Sequence, residues 1–335
     1  IKECDWSSDV CSSDLKKVLV TGGAGFIGSN LTESLLNAGN EVVCLDNFST
    51  GKRKNIEEFL SNPHFRLIEG DIRNFEDCQK AVDGIEYVFH EAALGSVPRS
   101  IKDPVTSTDV NIGGFVKMLF ASKEAGVKRF IYAASSSTYG DHPDLPKVED
   151  KIGSPLSPYA ITKYVNELYA NNFAKTYGIE VIGLRYFNVF GRRQDPDGAY
   201  AAVVPLFISS LFEKKSPLIN GDGSYSRDFT YIDNALQANH LAAIVTDSSA
   251  LNEVYNVACG ERTSLNDLFK LIRNSAARFN KDIAEINPEY GAFRAGDIPH
   301  SLASIEKART KLGYNPTHTV GQGLGEAVEW YWNNL

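Results

Sequence analysis

Lys17-Val-Leu-Val-Thr21-Gly-Gly-Ala-Gly-Phe-Ile-Gly28 is the stretch that decides the fold of this chain. A short aliphatic run meets a cluster of glycines, and Phe26 to Ala38 then carries apolar residues at helical spacing through Ile27, Leu31, Leu35 and Leu36. Strand, tight turn and helix in that order make the first unit of a parallel sheet. The turn fits both Gly-x-x-Gly-x-x-Gly (Gly22, Gly25, Gly28) and Gly-x-Gly-x-x-Gly (Gly23, Gly25, Gly28). Glycine patterns are common in turns, so the flanking strand and helix carry the weight here. Missing side chains let the backbone approach a pyrophosphate, whose charge sits at the positive end of the helix dipole. Asp46 closes a second apolar run, where a carboxylate accepts the hydroxyls of an adenosine ribose and repels a 2′-phosphate. NAD is therefore expected in preference to NADP. Asp71, in Glu69-Gly-Asp-Ile72 at the end of a third run, is a candidate partner for the adenine; a solvated loop acid is the competing reading.

Outward from this unit the alternation continues. Runs at Glu41–Leu45, Phe65–Ile68, Tyr87–Phe89, Phe130–Ala134 and Val181–Leu184 are separated by helical segments. Short continuous apolar runs of this kind read as strands buried on both faces. The fold expected is α/β, a doubly wound parallel Rossmann sheet with a smaller mixed α/β substrate-binding lobe. After Arg185 the rhythm changes: Gly191–Gly198 is polar and turn-rich, and helices are predicted at Tyr231–Ile244, Leu265–Phe279, Ser304–Leu312 and Val320–Trp332. The division expected is an NAD-binding domain of residues 16–187 plus 230–258 and a substrate-binding lobe of 188–229 plus 259–335. Residues 1–15, with Ser-Ser-Asp occurring twice, have no helical or strand periodicity and no signal-peptide pattern. They resemble a translated sequencing-adapter scar and are expected to be disordered.

Composition narrows the function classes. The 335 residues are 43% hydrophobic and 23% charged, which gives a substantial core and excludes a low-complexity chain. A net charge of −8 and the absence of a long basic run disfavour a sequence-independent nucleic-acid binder. The longest uncharged stretch, Gly198–Phe212, contains Pro205 and falls short of the roughly 18 apolar residues of a membrane span. Five cysteines without metal spacing point to a reducing compartment, the cytoplasm. His90, at a strand end, and His142, in a turn, are not expected to hold a metal; Cys44 is expected in the core.

Tyr159-Ala-Ile-Thr-Lys163 sets a phenol and an ammonium one turn apart on a helix that Pro158 is suited to start. The ammonium is expected to favour the phenolate and let the tyrosine act as a base near neutral pH. In a chain with 15 tyrosines this spacing is cheap. Its company matters: Ala133-Ala-Ser-Ser-Ser-Thr-Tyr-Gly140 closes the strand before that helix, where ligands bind in such sheets. A serine there is placed to bond the substrate oxygen that Tyr159 deprotonates; otherwise these serines cap and turn.

The glycine loop, Asp46, Asp71, the serine run and the Tyr–Lys pair, in this order, resemble the extended short-chain dehydrogenase/reductase family, NAD-dependent epimerase/dehydratase. Within it the chain is most similar to bacterial UDP-N-acetylglucosamine/UDP-N-acetylgalactosamine 4-epimerases of surface-polysaccharide synthesis. Stretches such as His90-Glu-Ala-Ala-Leu-Gly-Ser-Val-Pro-Arg99, Leu184–Val203 and Ile219–Phe229 carry the resemblance. It implies that Tyr159 takes the proton of the sugar 4-hydroxyl while NAD accepts hydride from C4, that Lys163 holds the nicotinamide ribose, and that Ser135 bonds the 4-oxygen. It extends the cofactor contacts to Phe26, Ile27, Asn47, Ile72 and Ala92. For the UDP-sugar it implies Gly95, Ser96, Ser136, Asn188, Ala202, Arg227, Arg294 and Ser301. Ser301 stands where epimerases confined to non-acetylated hexoses have a tyrosine, leaving room for an N-acetyl group. Nucleotide-sugar 4,6-dehydratases carry Asp-Glu where this chain has Ser136 and Ser137, so dehydration is disfavoured. The same glycine loop would also suit a non-catalytic NAD-binding sensor or a dehydrogenase that releases NADH. Helices at about Pro104–Ala125 and Pro158–Tyr177 match those that pair into a four-helix homodimer interface.

Overall fold

The structure, a computed structural model, describes residues 17–197, 201–293 and 298–335. The expectations for residues 1–15 and Arg294 lie outside the described residues. In chain order the first half holds β1 (Lys17–Thr21), α1 (Phe26–Asn37), β2 (Glu41–Asp46), β3 (Phe65–Glu69), α2 (Phe75–Val82), β4 (Tyr87–His90), α3 (Val97–Lys102), α4 (Pro104–Thr108), α5 (Phe115–Glu124) and β5 (Arg129–Ser135). It continues with α6 (Pro158–Tyr177), β6 (Glu180–Tyr186), β7 (Val189–Phe190), α7 (Val203–Phe212), β8 (Leu218–Asn220), β9 (Ser226–Arg227), β10 (Thr230–Tyr231) and α8 (Ile232–Ile244). The last elements are β11 (Glu253–Val257), β12 (Thr263–Ser264), α9 (Leu265–Ala276), β13 (Glu289–Gly291), α10 (Glu306–Leu312) and α11 (Val320–Asn334).

Seven strands form one sheet in the order β11-β6-β5-β4-β1-β2-β3, every neighbouring pair parallel. The alternation of side chains along β1 divides the interior. Val18 and Val20 pack with Leu31 and Leu35 of α1 and Ala235 and Ala238 of α8, while Leu19 packs with Phe115 and Met118 of α5 and Phe173 of α6. Helices on both faces are what a doubly wound sheet requires, since neither face meets water. The first core runs on without a break into α7, α9 and α11 through Phe207, Ile272 and Val328. These helices, β7 and the two-stranded pairs β9–β12 and β8–β13 make the smaller lobe.

The order of strands reverses at β1, whose two neighbours β2 and β4 are reached by connections going opposite ways. A crevice opens outside the carboxyl ends of the strands at such a point. Thr21, Asp46, Glu69, His90, Ser135 and Tyr186 are the last residues of their strands, so all six stand on that edge.

The helix expected over Pro104–Ala125 is instead α4, a wider π turn over Asp109–Gly114, and α5. The physical reason is Asn111 within that turn. Its Oδ1 accepts from the Leu94 N–H at 2.8 Å, and its Nδ2 donates to Thr162 Oγ1 at 3.2 Å. The bulge turns an amide inward that ties the loop after β4 to α6; bulges of this type concentrate at functional sites. Pro205 sits in the first turn of α7, where its missing N–H costs nothing.

Candidate active site

The crevice is a cavity of about 320 Å³ on the carboxyl edge of the sheet. Gly22, Gly25, Phe26, Ile27 and Gly28 line one wall, Asp46, Asn47, Asp71 and Ile72 another, and Ala92, Tyr159 and Lys163 a third. The structure thus brings together every residue for which a cofactor contact is expected. Gly28 is required by the chain itself, because a Cβ there would lie 2.1 Å from the Gly22 carbonyl oxygen. Gly25 is different: a Cβ there would meet only that same oxygen, at 3.1 Å, and would otherwise project into open space. Gly25 is also the N-cap of α1 and supplies no side chain to the first-turn N–H groups. An uncapped helix start beside a wall kept bare is what a pyrophosphate needs, and the cavity fits a dinucleotide on these grounds.

Asp46 is already engaged with the backbone. Its Oδ2 accepts from the Ala24 N–H at 2.9 Å and its Oδ1 from the Phe48 N–H at 2.7 Å. Burial nevertheless holds its carboxyl above the ordinary range. Asp71 is held the other way: a hydrogen bond from Arg73 leads, with Asn47 donating as well at 2.8 Å, and its pKa falls to about 2. Asp71 is therefore a firm anion on the cavity wall.

Ser135 ends β5 and caps the short 3₁₀ turn Ser136–Tyr139, its Oγ accepting from the Ser137 N–H at 3.2 Å and from the Ser137 hydroxyl at 2.9 Å. Its side chain also lies near enough to the Tyr159 phenol to draw that group's pKa down. Lys163, deep in the interior, donates from Nζ to the Ala133 carbonyl at 2.7 Å and lies 6.0 Å from the Tyr159 ring centroid. In the chain alone the balance at Tyr159 falls on the side of the protonated phenol. Burial raises the Tyr159 pKa above its usual value; the hydrogen bond to Ser135 draws it down, and the Glu91 charge pushes it further up. Nζ is spoken for by a carbonyl, and the carboxylate of Glu91 offsets its charge. Lys163 itself is lowered to about 8, burial outweighing the favourable charges of Glu91 and Glu167.

Of the remaining sugar-site residues, Gly95 lines the cavity, and a Cβ on it would touch nothing within 4 Å. Ser96 caps α3 by accepting from the Arg99 N–H at 3.1 Å. Ser136 opens the 3₁₀ turn, half-buried. Asn188, Arg227 and Ser301 lie outside the cavity and close to one another in the smaller lobe. Asn188, at φ +39°, donates from Nδ2 to the Asp228 carbonyl at 2.9 Å. Arg227 donates to the Pro299 carbonyl at 3.2 Å, and the Ser301 N–H donates to the Ser226 carbonyl at 3.0 Å. Ala202 caps α7.

The sequence reading missed Glu91, Tyr186 and Asp228. Glu91 and Tyr186 line the cavity with Tyr159 and Lys163. Asp228, fully buried, accepts from the N–H groups of Cys259 at 3.0 Å, Gly260 at 3.1 Å and Ala303 at 3.2 Å. Burial raises it to about 7. Charged residues beside apolar strand ends were the available signal. His90 is buried with its Nδ1 3.0 Å from Thr21 Oγ1, and desolvation pushes it down to about 3, so it stays neutral. Among the described residues, Asp233, His318 and Glu326 bring three possible metal-ligating atoms together. Each is already partnered: Asp233 with Arg192 at 2.7 Å, His318 with Glu326 at 3.1 Å, and Glu326 with Tyr231 at 2.8 Å.

The sequence profile of the NAD dependent epimerase/dehydratase family matches residues 18–258. The chain belongs to that family. NAD is accordingly its cofactor, and the cavity has the walls for it. Among relatives of this epimerase/dehydratase, the UDP-glucose 4-epimerase of Mycolicibacterium smegmatis is 34% identical over 319 residues, 95% of this chain and 99% of that one. The structure of a UDP-N-acetylglucosamine 4-epimerase from Methanobrevibacter ruminantium M1, solved with UDP-N-acetylmuramic acid, superposes with a TM-score of 0.88 at 38% identity, covering 96% and 99% of the two chains. A dTDP-glucose 4,6-dehydratase from Streptomyces venezuelae, solved with NAD, gives 0.85 at 28% identity over 95% and 97%. Among the described residues, no helix is long and apolar enough to cross a membrane.

Proposed function

We propose that this member of the family is a UDP-hexose 4-epimerase that interconverts UDP-N-acetylglucosamine and UDP-N-acetylgalactosamine, in the cytoplasm, for surface polysaccharide. The observation that carries the reaction type is the 3₁₀ turn after β5. Ser135, which draws the Tyr159 pKa down, ends β5 there, and the two residues that follow are hydroxyls where dehydration needs a carboxyl acid and a carboxylate base. Ser301, a small residue drawn against β9 beside Arg227, supports the acetylated sugar.

NAD supplies, when bound, a ring carbon that accepts hydride from C4 of the sugar and later returns it. The residues of the chain do the rest. Tyr159, as the phenolate, takes the 4-hydroxyl proton and gives it back after the sugar has turned over. Ser135 holds the same sugar oxygen, so the proton moves along a preset line. Lys163, fixed by Ala133, holds the cofactor ribose and keeps positive charge near the phenol. Arg227 offers a forked donor to a diphosphate, with Arg294, Asn188 and Ala202 along the same ligand and Gly95, Ser96 and Ser136 near the sugar ring. The domain division at 187/188, 229/230 and 258/259 belongs to the same proposal, with hydride chemistry on the sheet and the sugar on the smaller lobe.

Val105 of α4 and Ile161 and Leu168 of α6 are exposed on the helices expected to pair. A second copy covering them, helix on helix, is the dimer we propose. Purified protein incubated with UDP-N-acetylglucosamine is expected to form UDP-N-acetylgalactosamine without NADH build-up. Faster turnover of UDP-glucose or UDP-glucuronate would reassign the sugar. Steady NADH release would mean a dehydrogenase, a 4-keto-6-deoxy product a dehydratase, and retained NAD without turnover a sensor.

A further inference from the structure

Glu91 follows β4 directly and faces the reacting pair. Tyr186, the last residue of β6, donates its hydroxyl to Glu91 Oε1 at 2.9 Å. The direction of that bond is fixed by what lies behind it. Asn239 of α8 donates from Nδ2 to the Ala235 carbonyl at 2.9 Å, so that atom is the amide nitrogen, and it donates to the Tyr186 oxygen at 2.7 Å as well. The one phenolic hydrogen is left for Glu91. A chain of donors built into α8 and β6 thus terminates on a carboxyl that shares one cavity wall with Tyr159 and Lys163.

We propose that Glu91 is a positioning residue for the proton transfer, its carboxylate fixing the charge that Lys163 and Tyr159 carry when the sugar binds. This rests on the reading of Tyr159 as the base. The titratable groups facing Glu91 are Lys163 and Tyr159 from α6 and Tyr186 from β6, and Glu167 faces Lys163 from one turn further along α6. Burial lifts the carboxyl to about 7, against the pull of Tyr186 and Lys163. When ionised it raises the pKa of both Lys163 and Tyr159. It therefore preserves the ammonium to higher pH and raises the pH at which Tyr159 loses its phenol proton to solvent. No bond is made or broken at Glu91.

Glu91→Gln keeps an oxygen for the Tyr186 hydroxyl and removes the charge. The NAD-loaded variant is expected to shift both limbs of its kcat profile to lower pH by about 0.5 to 1 unit, with KM for the UDP-sugar within about twofold of the parent. A side chain that merely filled space would lower kcat evenly and leave the limbs in place. Infrared titration gives a readout free of turnover. A protonated-carboxyl band titrating near neutral pH should vanish in Glu91→Gln, while that of Asp228 remains. If Glu91→Gln does not fold, Tyr186→Phe serves instead: it removes the bond that holds Glu91 down and should move the acid limb the same way. Superposed profiles overturn the proposal, as does an infrared titration in which no band is lost. Should no UDP-hexose be epimerised, the functional reading fails separately, and the infrared result alone decides whether Glu91 titrates.

Discussion

Tyr159 and Lys163 sit one helical turn apart, yet their surroundings push them in opposite senses, the phenol up and the ammonium down. Tyr159→Phe removes the proton carrier and keeps the ring. It should lower kcat by about 10²–10⁴ with NAD still bound to the purified protein, checked by turnover and by the nucleotide released on denaturation. Lys163 gives a pH prediction with a definite sign. Its native pKa, about 8, lies below the unfolded 10.5, so between these values the unfolded chain holds a proton that the native protein has released. Stability from this residue therefore rises with pH across that window, while activity that needs the ammonium falls. Parallel denaturation and rate profiles from pH 7.5 to 10 should diverge, and Lys163→Met should remove the divergence.

At the scale of elements, the helix that carries the pair is pinned from behind. Arg185 of β6 forks onto Glu167 of α6, with bonds of 2.9 and 2.7 Å, and donates to the Glu149 carbonyl at 2.9 Å. Both side chains are buried. Arg185→Met strands the Glu167 charge in the interior and should cost about 3–5 kcal/mol, read as a lowered denaturation midpoint. Glu167→Gln beside it should recover part of the loss. Six strands and α1, α6, α8, α9, α10 and α11 were legible from apolar runs, because a strand or helix with a buried face writes its period into the chain. The glycine loop and strand-end acids were legible for the same local reason. The π turn was not, since its cause is Asn111 reaching Leu94 and Thr162, residues distant in sequence. Glu91 and Asp228 escaped notice likewise. A carboxyl becomes informative only when its partners, Tyr186 for one and the Ala303 backbone for the other, are known. Tyr159 and Lys163 line the cavity together, but their charge balance depends on burial that no spacing encodes.

For the whole molecule, four buried groups have proton affinities displaced in opposing directions. Glu91 and Asp228 are raised to about 7, so below that pH the native state holds protons that the unfolded chain loses. His90 and His240 are lowered to about 3 and about 4, so the unfolded chain holds the extra protons instead. Between pH 5 and 6.5 these contributions oppose each other, and the stability they confer is nearly flat. His240→Gln, which keeps a partner for Ser34, removes one of the two histidines from that balance. Across that interval its stability relative to the parent should fall by about 1.4 kcal/mol per pH unit as pH rises, measured by urea denaturation. The last consequence concerns α6. The helix that turns Lys163 into the interior turns Ile161 and Leu168 out to its opposite side. If a second copy covers that side, the chemistry and the association share a single rod, and catalysis becomes a property of concentration. Specific activity should then decline on dilution below the dissociation constant and return on concentrating.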